Sequence, residues 1–106
     1  MYVLCALVVV LGIGQTAFAA DWPCYRGPAH NGISQETDWS SDWGQAGPKA
    51  LWKKSVGMGF STTAVADGRV YTMGNSGKET NIDTVYCFDA QTGQELWKHS
   101  YSCPLQ

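Results

Sequence analysis

Few polar side chains in this sequence have the spacing that catalysis or metal binding requires. Glu79, Asn81 and Asp83 fall within one polar stretch and offer the oxygen ligands that Ca²⁺ prefers. Their spacing does not match the D-x-[DN]-x-[DN]-G pattern of a calcium loop, so we expect a solvated loop. Arg26 could contact an anion, but its glycine- and proline-containing surroundings favour a residue that fixes its segment against the rest of the fold by hydrogen bonds.

The usual sequence settings of a nucleophile or a nucleotide-binding loop are also missing. No serine lies in a G-x-S-x-G motif, and His30 and His99 have no neighbours at metal-ligand spacing. The glycines at 57 and 59 are not followed by the rest of a dinucleotide-binding loop. We therefore predict neither catalytic nor metal-binding residues in this chain.

The cysteines leave one pairing open. None of the four forms a C-x-x-C pair, and Cys5 lies in the apolar N-terminal run. Cys87 lies within an apolar run, where a thiol behaves as a small hydrophobic group. Cys24 and Cys103 lie in turn-forming segments towards the two ends of the remaining chain, so they could form a disulfide in an oxidising compartment.

The first 20 residues have the features of a secretory signal peptide. Val3–Val10 is apolar, and residues 17–20 (AFAA) form a small-residue cleavage site, with the cut after Ala19 or Ala20. The apolar run is shorter than the roughly 20 residues of a membrane span. The n-region lacks a basic residue, which leaves an uncleaved anchor as the alternative. We expect export to the periplasm or outside the cell, with no membrane span after cleavage.

The overall composition argues against a nucleic-acid-binding protein and for a folded domain. The 106 residues include 7 basic and 9 acidic side chains, for a net charge of −2. A nucleic-acid binder usually carries an excess of basic residues, so no nucleic-acid partner is expected. Hydrophobic residues make up 44% of the chain, which is typical of a folded protein, and the length allows one small domain.

A short internal repeat points to a particular architecture. Leu51–Ser55 (LWKKS) returns 45 residues later as Leu96–Ser100 (LWKHS), with four of five positions identical. A period of about 40–45 residues is that of a four-stranded propeller blade. The 3.6-residue periodicity that helical repeats of this length would need is not found.

Short strands separated by turn signals fill the repeat. The Asp67-Gly68 pair is the signal of a two-residue hairpin turn, and a tight turn is expected at Asp89–Gly93. Between them, Gly74–Asp83 is predicted to be a loop. The predicted strands are 50–56, 60–66, 69–73, 84–88 and 95–101. Residues 70–73 and 85–88 are apolar on both sides, which indicates a sheet packed between other layers.

Two motifs resemble the pyrroloquinoline-quinone-like (PQQ-like) β-propeller family. Residues 87–97 are similar to its tryptophan-docking motif, A-x-D-x-x-T-G-x-x-x-W, matching at Asp89, Thr92, Gly93 and Trp97, with Cys87 in place of the leading alanine. Residues 22–28 (WPCYRGP) resemble the W-P-x-x-R-G-P lead-in of exported bacterial members. The resemblance implies an all-β fold: one four-stranded antiparallel propeller blade plus the outer strand of a neighbouring blade. The domains are then a signal peptide (1–20), a lead-in (21–49) and an incomplete propeller repeat (50–106).

The resemblance also implies roles for the motif residues. In such propellers the motif tryptophan stacks between blades, so Trp52 and Trp97 are expected to be structural, and Asp67, Gly68 and the 89–93 turn residues to be turn formers. The expected function is binding or scaffolding, with further blades of a longer chain and other exported proteins as partners. The alternative is the N-terminal part of a quinoprotein alcohol or sugar dehydrogenase, in which only the full-length protein would bind PQQ and calcium.

Overall fold

The described residues, 20–59 and 61–103 of a computed structural model, form an all-β protein without a helix. The strands are β1 (Ala64–Ala66), β2 (Arg69–Asn75), β3 (Ile82–Asp89) and β4 (Glu95–Ser102). They form one antiparallel sheet in the order β1-β2-β3-β4, so each strand pairs with its neighbour in sequence. In this part of the chain no helix is long and apolar enough to cross a membrane. The predicted signal peptide lies almost wholly outside the described residues.

Turn chemistry sets the register of the sheet. Asp67 and Gly68 both have positive φ, 50° and 69°, and join β1 to β2 as a two-residue hairpin. Such a turn matches the twist of the strands and needs residues that tolerate positive φ at both positions. Ala66 therefore pairs with Arg69, and the pairing continues outward to Ala64 and Tyr71.

Four of the five predicted strands differ from the structure by more than one residue in extent. Residues 50–56 do not form a strand; the isolated bridge between Met58 and Asn75 lies beyond them. The predicted strand 60–66 is reduced to β1, and Phe60 lies outside the described residues. β2 and β3 are longer than predicted, so the loop 74–83 shrinks to 76–81. Polar residues extend the ladder here because Asn75 Nδ2 donates to Asp83 Oδ1 at 2.7 Å across the two strands.

The register divides the sheet into two faces. Phe88 lies on what we call the docking face, 5.6 Å from the stacked ring of Tyr86 and 6.0 Å from the ring of Trp52. The backbone carbonyl of Val56 lies so close to Gly74 that a Cβ there would collide with it. The segment 52–57 therefore crosses the docking face as a covering strap, which explains why it does not join the sheet as a strand.

The opposite face, called here the open face, carries the half-exposed side chain of Trp97. Tyr71, Cys87 and Trp97 lie in one cross-strand row, with the Tyr71 and Trp97 rings 6.1 Å apart. Cys87, the middle residue of this row, is fully buried, and Phe88 is the other buried hydrophobic residue of the described chain. Every residue of β4 is exposed in the described chain. This strand therefore lacks the packing layer that the apolar residues of β2 and β3 predict for the sheet.

The lead-in begins as an addition to the sheet edge. Trp22 and Val65 exchange both backbone hydrogen bonds, at 2.8 and 2.9 Å, on the outer side of β1. Asp21 Oδ1 accepts the backbone N–H of Asp67 at 3.0 Å. The Trp22 ring packs on Gly27, where a Cβ would lie 2.6 Å from the nearest ring carbon. The start of the lead-in is thus part of the same folded unit as the sheet.

Candidate functional site

A tight turn between β3 and β4 is built around the Asp89 carboxylate. Asp89 Oδ1 accepts hydrogen bonds from Gln91 N (3.0 Å), Thr92 N (2.8 Å) and Thr92 Oγ1 (2.8 Å). The Asp89 carbonyl accepts the N–H of Gly93, which has φ 69°. A short carboxylate side chain can satisfy successive backbone donors in this way, and the glycine supplies the left-handed conformation that closes the turn. The predicted turn formers Asp89, Thr92 and Gly93 act together here.

Trp52 docks onto this turn from the other end of the repeat. Its Nε1–H donates to the carbonyl of Ala90 at 2.9 Å. Its ring lies on Gly93, where an added Cβ would be 2.6 Å from the nearest ring carbon, and it also contacts Phe88. The N–H of this half-buried indole is thus hydrogen-bonded, while its ring packs against apolar neighbours. Since 37 residues separate Trp52 from Ala90 in the chain, this contact ties the strap to the far turn of the sheet.

The two turns at this end of the sheet are joined to each other. Ala90 N donates to the carbonyl of Gly68 at 2.9 Å, while Asp21 holds Asp67 on the other side of that hairpin. Ala90 therefore contacts one turn through its N–H and Trp52 through its C=O. Sequence reasoning missed Ala90, because a backbone carbonyl leaves no side-chain signal. The resulting site is a docking surface for Trp52, formed by the 89–93 turn and joined to the 67–68 hairpin turn.

The second tryptophan of the repeat is in a different environment. Trp97 occupies the position equivalent to Trp52 but is 46% exposed and contacts Tyr71 on the open face. The described chain contains a single D-x-x-T-G turn, and Trp52 already occupies it. The two copies of the motif are therefore a docked tryptophan and a half-exposed one.

Hydrogen bonding changes the acidity of the turn. The backbone N–H and the hydroxyl of Thr92, with a smaller contribution from the Gln91 N–H, lower the pKa of Asp89 below its usual 3.8, and burial opposes them. These donors stabilise the carboxylate and not the protonated acid.

Asp89 should make the free energy of unfolding depend on pH in the acidic range. Because its pKa is lower in the folded state, its stabilising contribution is complete above about pH 5 and is lost as pH falls through 3.8 towards the lowered value. In Asp89→Asn, the free energy of unfolding measured in urea should therefore fall less steeply than in wild type as the pH drops below about 5. Asp42→Asn, which removes an exposed lead-in carboxylate, is the charge-matched control and should leave that loss unchanged. Equal acid dependence in wild type and Asp89→Asn would contradict this role.

A second polar cluster lies at the opposite end of the sheet. Asp83 sits opposite Asn75 on one side and Tyr101 on the other. The Asn75 amide first, then the side chains of Cys103 and Tyr101, lower the pKa of Asp83. The same carboxylate raises the pKa of the Cys103 thiol, and burial chiefly raises that of the Tyr101 hydroxyl. A thiol whose pKa is raised is protonated at neutral pH, which makes Cys103 a poor nucleophile.

The expected Cys24–Cys103 disulfide is not formed. Both are free thiols, as is Cys87. The Cys24 thiol donates to the carbonyl of Gly27 at 3.2 Å, beyond the β1 edge, whereas Cys103 follows β4 at the other edge. Sheet strands are spaced about 4.8 Å apart, so the width of the sheet alone exceeds the roughly 7 Å Cα separation that a disulfide tolerates. The sequence left this pairing open because turn chemistry at both ends says nothing about which sheet edge each end follows.

The residues that offered candidate calcium oxygens lie in different structural settings. Asp83 belongs to β3, and the Asn81 backbone bonds to Gly77 and to Cys103. Glu79 is exposed beside an open depression of about 510 Å³, lined by Met58 and residues 76–80. In residues 20–59 and 61–103, no three or more His, Cys, Asp and Glu side chains come together as a metal-binding group.

Arg26 forms a backbone hydrogen bond within its own loop. It adopts φ 67°, its carbonyl accepts the N–H of Gly32 at 2.8 Å, and its side chain is exposed. The sequence favours a residue that holds the lead-in against the sheet, whereas this backbone bond lies within the lead-in itself.

Comparison with known proteins adds no relative: no family model, no curated protein and no solved structure matches the chain. The resemblance to PQQ-like propellers therefore rests on the motif residues of the chain itself.

Proposed function

We propose that this chain is a repeat unit of an exported β-propeller whose role is binding or scaffolding. The docking of Trp52 on the 89–93 turn is the observation that carries the proposal. It joins one copy of the Leu-Trp segment to the turn that precedes the next copy, 45 residues on. If this contact recurs with the sequence period, each unit is closed at the point where the next one begins, as in a repeat architecture.

The half-exposed Trp97 supports the same proposal. By repeat equivalence, it has a binding partner of the kind that Trp52 has: a D-x-x-T-G turn, supplied by a further repeat. The open face, with Tyr71 and the half-exposed Trp97 in one cross-strand row, supplies apolar area for a neighbouring blade. Blades packed face to face would bury this row.

A tandem chain tests the architecture. Repeating residues 52–96 in tandem keeps the 45-residue period and gives the Trp97 position a following turn. We expect each added unit to raise the midpoint of urea unfolding, since repeat stability grows with each neighbour interface. The matched control carries Gly93→Ala only in the added unit and should lose most of that gain. If units are added with no rise in the midpoint, the propeller proposal fails.

The functional part of the proposal has a separate test. Adding PQQ and Ca²⁺ to the full-length protein should give no change in the quinone spectrum, no thermal shift and no dye reduction with alcohols or aldose sugars. Quinone binding with substrate-dependent dye reduction would contradict the scaffold role and favour the dehydrogenase alternative.

A further inference from the structure

The two edges of the sheet differ in what lies beside them. Along β1, Trp22 exchanges two backbone hydrogen bonds with Val65, so part of this edge is covered. β4 forms the other edge, and within residues 20–59 and 61–103 no strand pairs with its outer side. All eight residues of this strand are exposed. A long exposed edge presents backbone donors and acceptors at the spacing that another strand needs.

The register of β3 and β4 shows which backbone groups of β4 point outward. Cys103 N donates to the carbonyl of Asn81 at 2.7 Å, so these two residues form a pair of the hydrogen-bonded type. Such pairs alternate with non-hydrogen-bonded ones along an antiparallel ladder. Tyr101 and His99, two and four residues before Cys103, therefore direct their N–H and C=O groups to β3. The groups of the intervening residues point away from the sheet. These residues are Lys98, Ser100 and Ser102.

The side chains that alternate with the outward-pointing residues lie on the open face. Trp97, His99 and Tyr101 follow one another there at every second position of β4. The His99 and Tyr101 rings are 6.2 Å apart, and the Trp97 ring contacts Tyr71. Trp97 is 46% exposed and Tyr101 42% exposed, so both have apolar surface that a strand added beside β4 would cover.

We propose that the outer edge of β4 pairs antiparallel with β4 of a second copy of this chain, about a two-fold axis at His99. Lys98 of each copy then lies opposite Ser100 of the other, and the two residues exchange their outward backbone hydrogen bonds. Trp97 lies opposite Tyr101, and His99 opposite its own counterpart, in non-hydrogen-bonded pairs. Side chains approach most closely in such pairs, where aromatic partners stabilise the sheet.

Symmetry and side-chain chemistry select this register. A two-fold axis perpendicular to the sheet pairs residues of the same face, so the axis must pass through a residue position. An axis at Lys98 would place two ammonium groups opposite each other, and like charges in that arrangement are destabilising. An axis at Ser100 would place Trp97 opposite Cys103, which follows the end of β4. The axis at His99 instead sets the two large exposed aromatic side chains of the open face opposite each other.

The pairing goes beyond the proposed propeller and does not depend on it. It extends the sheet in its own plane, whereas neighbouring blades would pack on the faces. Both copies therefore keep an open face on the same side of the extended sheet, and each can still receive a blade. A failure of the pairing leaves the outcome of the tandem-chain experiment unaffected.

The association is tested by sedimentation velocity of the purified full chain over a range of concentrations, with a monomer–dimer equilibrium as the expected result. Lys98→Pro removes an outward N–H from each copy, a change that an edge strand tolerates. The loss of two hydrogen bonds per dimer should raise the dimer dissociation constant about tenfold. Lys98→Ala is the matched control, because it removes the same side chain and keeps the N–H; its dimer should persist. A wild type that stays monomeric, or equal dissociation constants for the two variants, would overturn the proposal.

The register is tested by oxidative cross-linking of three single variants: His99→Cys, Lys98→Cys and Ser100→Cys. Residues opposite each other in a non-hydrogen-bonded pair have Cα atoms about 4.5 Å apart, which a disulfide can bridge. His99→Cys should therefore give the most covalent dimer, with the 99–99 linkage identified by mass spectrometry. Wild type, treated in the same way, gives the background from the native thiols. A dominant linkage at position 98 or 100, or no cross-link above that background, would overturn the pairing at His99.

Discussion

Replacing Trp52 with alanine is expected to lower the free energy of unfolding by about 3 kcal/mol, the low end for removal of a large aromatic from a packed site. The substitution removes the ring from Gly93 and Phe88 and the hydrogen bond to the Ala90 carbonyl. It also leaves that carbonyl without its indole donor. Urea unfolding followed by far-UV circular dichroism measures the loss without relying on tryptophan fluorescence.

Trp97→Ala is the matched control for this prediction, because the two tryptophans occupy equivalent positions in the repeat. Trp97 is 46% exposed and keeps one aromatic neighbour, Tyr71. Its removal should cost about 1 kcal/mol, in keeping with a half-exposed side chain. Equal losses for the two substitutions would show that Trp52 has no special role in holding the unit together.

Gly93→Ala should also be strongly destabilising, for two separable reasons. At φ 69° an L-residue costs about 1–2 kcal/mol, and the new methyl group would lie 2.6 Å from a Trp52 ring carbon. The ring must therefore move off the turn, which adds about 1–3 kcal/mol as an overpacked contact. The free energy of unfolding in urea, compared with wild type, gives the sum.

Gly68→Ala separates the two costs. Gly68 has the same φ of 69° but no atom within 4 Å of an added Cβ. Its substitution should show the backbone cost alone, so Gly93→Ala should exceed it by the cost of displacing Trp52. In a Trp52→Ala background that excess should vanish, since the obstructing ring is gone. An excess that persists without Trp52 would contradict docking on the turn.

The parts of the fold that follow from local chemistry could be predicted from the sequence. Asp67-Gly68 predicts a two-residue hairpin because few residue pairs accept positive φ twice, and the β-rich repeat predicts an all-β fold with four antiparallel strands. The Asp89 turn likewise follows from a carboxylate placed ahead of Thr92 and Gly93. Each of these signals is complete within about six residues.

The parts that depend on distant partners could not be predicted. Residues 50–56 have strand-like composition, yet they cross the docking face because Trp52 is held by a carbonyl 38 positions further along the chain. The possible Cys24–Cys103 pairing could not be decided from sequence because it depends on the sheet edges that the two segments follow, and both cysteines are free thiols in the structure. The Asn75–Asp83 bond lengthened two strands in a region whose polar composition is typical of a loop.

The central claim is that the Leu-Trp segment at the start of the repeat docks on the D-x-x-T-G turn at its end, just before the next Leu-Trp segment. The most direct measurement is the ¹H NMR shift of the Gly93 α-protons, since the Trp52 ring lies against Gly93 Cα. Docking predicts that the ring current moves at least one α-proton far from its random-coil shift, and that Trp52→Ala removes the effect while Trp97→Ala leaves it. Gly93 α-protons with random-coil shifts in a folded wild-type chain would contradict the claim.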